Sequence, residues 1–269
     1  LSEISCKKNN EYIELTIMVI AINKTANIKN SYRSYQFKRF LDLQWSDINC
    51  DLHVHTNWTD GKAGVLDILQ LSVQQGLSYL AFTEHVRKNT SWFSKFAQEV
   101  RSHAKAYPQI QVFVGCEAKA LDTKGGFDIS EEILAECDLV LGSVHRFPNG
   151  QGGYVNVSEL TAEEFAQIEF ELACGLLEFA PVDVLAHPGG MYSRVHGEFP
   201  AELMRKLMKV SLKREIAIEI NTFYLRNLDN FLQLCAEINP YVSIGSDVHR
   251  LEQLANCREQ LRQSGVGAP

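Results

Sequence analysis

From residue 50 onward the chain alternates short apolar runs with longer amphipathic stretches, and that alternation commits it to βα units around a parallel sheet. The spacing predicts seven strands, at residues 50–54, 78–82, 111–117, 139–144, 182–186, 217–221 and 242–246. It predicts helices over 65–75, 92–106, 130–136, 162–177, 200–213, 228–237 and 251–263. Some helix starts are readable. Thr161 precedes Ala162, Glu163 and Glu164 as an N-cap before acidic first-turn residues, and Pro200 suits a first helical position. Seven such units in about 220 residues fit either a closed barrel or an open doubly wound sheet, and the alternation alone leaves both open.

Polar residues at the strand ends favour the barrel. Of the eight histidines, His53, His55, His85, His145, His187 and His249 fall at or just past the C-terminal end of a predicted strand. That is the end where side chains of parallel α/β folds converge on a ligand. Carboxylates follow the same rule: Glu117 ends the third strand, Asp247 follows the seventh, and Asp60 lies in the loop after the first. Imidazole nitrogens with carboxylate oxygens suit zinc, manganese or iron, and nine candidates exceed the three or four protein ligands of a single ion. More than one divalent ion is therefore expected. Residues two apart on a strand share a face, so His53 and His55 can reach one ion, as can Asp247 and His249. In a closed barrel the first and last strands are neighbours, which brings the two pairs together.

Each residue has a plainer reading. A lone histidine at a strand end is more often a hydrogen-bonded structural residue, Asp60 before Gly61 fits a turn, and Glu117 fits an ion pair with Lys119. Six imidazoles in register at one end outweigh these readings. His103 and His196 lack the strand-end placement and are read as non-ligands.

The residues form a longer pattern: Asp51-Leu-His-Val-His-Thr-Asn-Trp-Thr-Asp-Gly61, Phe82-Thr-Glu-His85, Gly115-Cys-Glu117, Gly142-Ser-Val-His145, Ala186-His-Pro188 and Gly245-Ser-Asp-Val-His249. This pattern resembles the PHP (polymerase and histidinol phosphatase) family, over residues 50 to about 265. The resemblance implies an α/β fold, a distorted (β/α)7 TIM-like barrel, with a centre of three divalent metal ions. The implied ligands are His53, His55, Asp60, His85, Glu117, His145, His187, Asp247 and His249. By the family's partition, His53, His55, Glu117 and Asp247 hold one ion, and Glu117 bridges to a second held by His145 and His187. Asp60, His85 and His249 hold the third. Glu117, Asp247 and His249 are the expected catalytic residues. Glu84 stands where the family commonly has Asp, with a modest effect around the ligands expected and no loss of metal.

The expected reaction is hydrolysis of a phosphate monoester of a small metabolite, histidinol-phosphate-like or a sugar phosphate, by a metal-activated water. The alternative is a phosphodiesterase or 3′-5′ exonuclease acting on nucleic acid or nucleotides, and a third reading is a metal-stabilised structural module. A net charge of −7 and a pI near 5.7 argue against a standing attraction to nucleic acid. Arg87, Arg146, Arg194 and Arg250 lie near the ligands and are candidates to bind the substrate phosphate. The Gly-rich segment 147–154 is a candidate lid.

Seven cysteines without a C-x-x-C spacing read as reduced, which fits a cytoplasmic protein. The apolar run at 12–22 is too short to span a bilayer and reads as a strand rather than an export signal, so no membrane association is expected. Residues 1–48 do not share the βα pattern and are set apart as an N-terminal extension of unknown structure, with 49–269 as the phosphoesterase barrel. The basic, aromatic stretch 29–39 within the extension reads as a packing arm.

Overall fold

A computed structural model describes residues 35–268; the run at 12–22 and the start of the basic stretch lie outside them. Phe37–Pro269 form one compact unit. Residues 37–48, grouped with the extension on sequence, belong to it: strand β1 (Lys38–Arg39) pairs antiparallel with β8 (Tyr241–Ile244), and Phe40 N donates to Pro240 O at 2.9 Å.

All seven predicted strands form, and they lie side by side in chain order: β2 (Cys50–Val54), β3 (Tyr79–His85), β4 (Gln111–Lys119), β5 (Leu139–Ser143), β6 (Val184–Leu185), β7 (Ala217–Ile220) and β8. Their neighbours are parallel throughout. The strands β2, β5, β6 and β7 are buried at every position, as in a parallel sheet covered on both faces, and β2 and β7 bury Asp51, His53 and Glu219 among their apolar residues. Two strands outrun their expected ends, and the register of β3 on β4 sets His85 directly beside Glu117. By contrast β6 stops after two residues, because His187 turns out of the ladder at φ 28°.

The ladder does not close along its length. The ends of the parallel set meet at the C-terminal rim instead, where Val54 and Val248 form a parallel bridge. There His55 N donates to Val248 O at 2.9 Å, and Val248 N donates to His53 O at 3.1 Å. The chain leaves β8 at Gly245, three residues before that bridge, where a Cβ would lie 2.2 Å from Glu219 Oε1 and 2.5 Å from His53 Cβ. Only a glycine lets this backbone approach so closely.

Among the described residues eight α-helices flank the sheet: α1 (Val65–Gln74), α2 (Phe93–Ala104), α3 (Glu131–Glu136), α4 (Ala162–Phe179), α5 (Gly190–Val195), α6 (Ala201–Arg214), α7 (Leu228–Ile238) and α8 (Asn256–Gln263). The long ones bury one stripe at helical spacing. In α2 it is Phe93, Phe96, Ala97 and Val100; in α6 it is Met204, Leu207, Met208 and Ser211. Fully burying one such Phe side chain contributes about 1.5–3 kcal/mol. Thr161 caps α4 as expected, accepting from Glu164 N at 3.3 Å while the Glu164 carboxylate accepts from Thr161 N at 2.9 Å.

Two local expectations change. The helix expected over 251–263 is broken: a 3-10 turn at Leu251–Gln253 is followed by Ala255 at φ 62°, and α8 starts only at Asn256. The break has a cause, because the Ala255 N–H is taken by the buried Asp51 carboxylate at 2.9 Å and cannot continue the helix. The short α5 was not expected. It is held by Glu169 of α4, whose carboxylate accepts from Met191 N at 3.0 Å and from Tyr192 N at 2.7 Å.

Candidate metal centre

The rim brings all nine sequence-derived candidates together. Their donor atoms fall into four overlapping groups, each with all its atoms within 4.8 Å of one another. The groups are His55, Asp60, His85 and His249; His53, His55 and Asp247; His53, Glu117 and His187; and His85, Glu117 and His145. Glu117 is the hub. Its Oε1 lies 2.8 Å from His187 Nε2 and 3.0 Å from His145 Nε2, while its Oε2 lies 2.9 Å from His85 Nδ1 and 3.5 Å from His53 Nε2. His53, His55, Glu117 and His187 form a buried floor, and Asp60, His85, His145 and His249 form a partly exposed rim. One spacing argument changes. Asp247 sits at φ 51°, off the strand, so it turns to His55 at 3.2 Å while His249 turns to Asp60 at 3.3 Å. The two join different groups.

The donor set fits cations because it makes no sense without them. His53 Nε2 faces His55 Nε2 at 3.1 Å, and His145 Nε2 faces His187 Nε2 at 3.3 Å. Two imidazole nitrogens aimed at each other need a proton or a metal ion between them, since two lone pairs only repel. Glu117 Oε2, fully buried, makes no well-aligned hydrogen bond although His85 Nδ1 lies 2.9 Å away, an arrangement that suits a cation held between them.

The electrostatics agree. Burial opposes charge on Glu117, yet the His145 and His53 rings outweigh it and hold the carboxyl well below its usual range. Burial likewise opposes a proton on His53, and Glu219, Glu117 and Asp247 overcome it, pushing that ring well above its ordinary value. Burial lowers His55 to about 4, so its ring is neutral near pH 7, the form that binds metal.

The PHP domain family matches residues 51–223 of the sequence. The chain belongs to this family. A "DNA polymerase/3'-5' exonuclease PolX" of Bacillus subtilis is 24% identical over 222 residues, which is 79% of this chain and 36% of that protein. The chain thus spans little more than a third of that relative's length. A "probable phosphatase" of Caldicellulosiruptor bescii is 26% identical over 219 residues, 78% of this chain and 83% of the other. Among solved structures, one of a two-domain protein of Bacteroides vulgatus containing a predicted PHP-like metal-dependent phosphoesterase aligns with a TM-score of 0.35. Its sequence identity is 13%, and the alignment covers 80% of this chain and 55% of that one.

Residues behind the ligands set this PHP domain's geometry, and sequence reasoning missed most of them. Glu219 on β7 accepts a hydrogen bond from His53 Nδ1 at 2.7 Å, which turns Nε2 toward the centre, and accepts from His187 N at 2.6 Å. Asp51 accepts from Ser246 N and Ala255 N, each at 2.9 Å, tying β2 to the segment that carries Asp247. Tyr224 donates to Asp247 Oδ2 at 2.8 Å, and its ring lies 4.7 Å from that of His187. Glu84, the departure from the family pattern, accepts from Thr56 N at 2.7 Å and from the Thr59 hydroxyl, and so holds the loop that presents Asp60. Gly61 packs against the His55 carbonyl, where a Cβ would come within 2.5 Å, so the Asp60–Gly61 pair here serves close approach.

The four arginines separate. Arg194 donates to the Tyr224 hydroxyl at 2.6 Å and lies over its ring, so it reaches the centre through Tyr224. Arg250 is exposed and lies 4.0 Å from Glu252. Arg146 and Arg87 are exposed beside the rim ligands His145 and His85. His196 packs its ring against Phe165 and Tyr192 and joins no ligand group. None of the described cysteines belongs to a ligand group, and four of them, Cys50, Cys116, Cys235 and Cys257, are buried. No helix among the described residues is long and apolar enough to cross a membrane.

Proposed function

We propose that the chain is a metal-dependent phosphoesterase that hydrolyses phosphate monoesters of small metabolites. The observation that carries this reading is the two pairs of imidazole nitrogens facing one another at 3.1 and 3.3 Å on either side of Glu117, a cage for more than one cation. His53, His55, Glu117 and Asp247 would hold one ion, Glu117, His145 and His187 a second, and Asp60, His85 and His249 a third. Such ions supply an acidified water nucleophile and charge neutralisation for a bound phosphate.

The chain's own residues do the rest. Glu219 fixes the His53 tautomer, Tyr224 holds Asp247, and Glu84 holds the Asp60 loop, so the centre is set before substrate arrives. Because the floor is buried and the rim open, a phosphate enters past Asp60, His85, His145 and His249. Arg146 and Arg87 flank that entrance and are placed to meet phosphate groups of the substrate. The relative of similar length named a probable phosphatase supports a monoester over a nucleic acid, as does the net charge of −7.

Protein loaded with manganese or zinc, assayed on p-nitrophenyl phosphate, bis-p-nitrophenyl phosphate and labelled single-stranded DNA, separates the readings. Hydrolysis of the monoester is expected to dominate. Turnover of DNA with none of the monoester would overturn the proposal in favour of an exonuclease.

A further inference from the structure

One cluster of charges beside the centre holds no ligand. On β4, Lys119 follows Glu117 by two residues, so it shares Glu117's face and stands about 6.6 Å further toward the open end. Its ammonium donates to the Tyr154 phenol at 2.8 Å. The guanidinium of Arg146, next to His145, lies over the same ring, 5.0 Å from its centre. Tyr154 is 43% exposed, unusual for so large a ring. It is also fixed in place. Pro148 and Tyr154 pair across a hairpin, Val155 N donates to Phe147 O at 2.8 Å, and the buried Phe147 packs on Phe165 at 4.6 Å. The segment expected to act as a lid is thus an anchored shelf.

The charge balance of this shelf is the reverse of the molecule's. Lys119 has Asp128 at 3.6 Å, but Arg146 and Arg87 have no carboxylate within ion-pair distance among the described residues. The phenol feels all three cations: the Lys119 hydrogen bond first, then the charges of Lys119, Arg146 and Arg87, lower its pKa. Since Lys119 occupies a lone pair of the phenol oxygen, the phenol hydrogen is free to donate to something else.

We propose that Lys119, Arg146 and Tyr154 form a second anion subsite, one that selects phosphate monoesters whose leaving alcohol carries another carboxylate or phosphate. The proposal rests on the phosphatase reading above. It also narrows that reading, because the same cations repel a leaving alcohol bearing an ammonium group, and histidinol phosphate is such a compound.

The test compares wild type with Lys119→Met and Tyr154→Ala, manganese-loaded, on p-nitrophenyl phosphate, glycerol 2-phosphate, histidinol phosphate, 3-phosphoglycerate and fructose 1,6-bisphosphate. Wild type is expected to favour the last two over glycerol 2-phosphate by about tenfold or more in kcat/KM, the size of one charge-assisted hydrogen bond. Each variant should lower that preference about tenfold while leaving p-nitrophenyl phosphate within about twofold. Equal loss on every substrate, no preference in wild type, or a preference for histidinol phosphate would overturn the subsite. Tyr154→Ala changes an exposed side chain, so it reads the subsite even where Lys119→Met disturbs folding. Calorimetric binding of 3-phosphoglycerate and glycerol 2-phosphate needs no turnover. If p-nitrophenyl phosphate is not cleaved, the phosphatase reading fails, while binding still supports the subsite when the variants weaken only the doubly anionic compound, and sinks it otherwise.

Discussion

Glu219 shows how one side chain outside the ligand set governs it. Its two oxygens reach His53 Nδ1 and the His187 backbone, so it orients ligands from two different strands at once. Glu219→Gln keeps the shape but weakens the acceptor and removes the charge. Metal affinity, read by competition with a chelator, is expected to drop about 10- to 100-fold, with the metal-free protein's melting temperature little changed. An unaltered affinity would mean that the carboxylate only packs. The nine ligands were legible because histidines and acids at strand ends violate the apolar pattern around them. Glu219 leaves the same trace, a charge between Ile218 and Ile220 in a strand buried at every position. Its side chain, however, faces a strand far away in sequence, and no local spacing says which. Asp51 and Tyr224 were hidden for the same reason: each acts across the rim on a partner about 20 to 200 residues distant.

At the scale of elements, the link between α4 and α5 is the informative one. Glu169 is buried on α4 and accepts from backbone N–H groups, those of Met191 and Tyr192 among them. Burial pushes its carboxyl up to about 7, from an ordinary 4.5. Between those values the folded chain therefore holds a proton that the unfolded chain has lost, and this group's contribution makes stability fall as pH rises through the window. Glu169→Gln removes that slope. Urea unfolding of the metal-free proteins at pH 4.5 and pH 7.5 should show the variant gaining on wild type at the higher pH, by up to about 3 kcal/mol. A difference that stays constant with pH would show that Glu169 carries no such proton. Helix existence was well marked in the sequence, through stripes such as Phe93, Phe96, Ala97 and Val100. The break at Ala255 was not, because a tertiary hydrogen bond to Asp51 overrides a locally helical pattern.

For the molecule as a whole, the metal centre is also the clasp of the barrel. Ligands come from β2, β3, β4 and the segments after β5, β6 and β8, and the two ends of the parallel set are bridged by hydrogen bonds at the rim beside them. Cations should therefore stabilise the fold and not merely the site. Stripping them with EDTA is expected to lower the melting temperature by about 5–10 °C where free metal had been near a hundredfold its Kd, and adding manganese should restore it. A melting temperature indifferent to chelation would separate the centre from stability. The sevenfold alternation announced the parallel sheet, but the closure at the rim depends on Gly245 and on the left-handed turn at Asp247, which composition and periodicity do not report.

The two-residue β1 has a consequence for handling the protein. It occupies hydrogen-bonding groups of β8 that would otherwise face outward as a template for another chain. Removing the residues before 49, a cut that the βα pattern invites, would bare that edge, take the fully buried Ile48 out of the core and promote self-association.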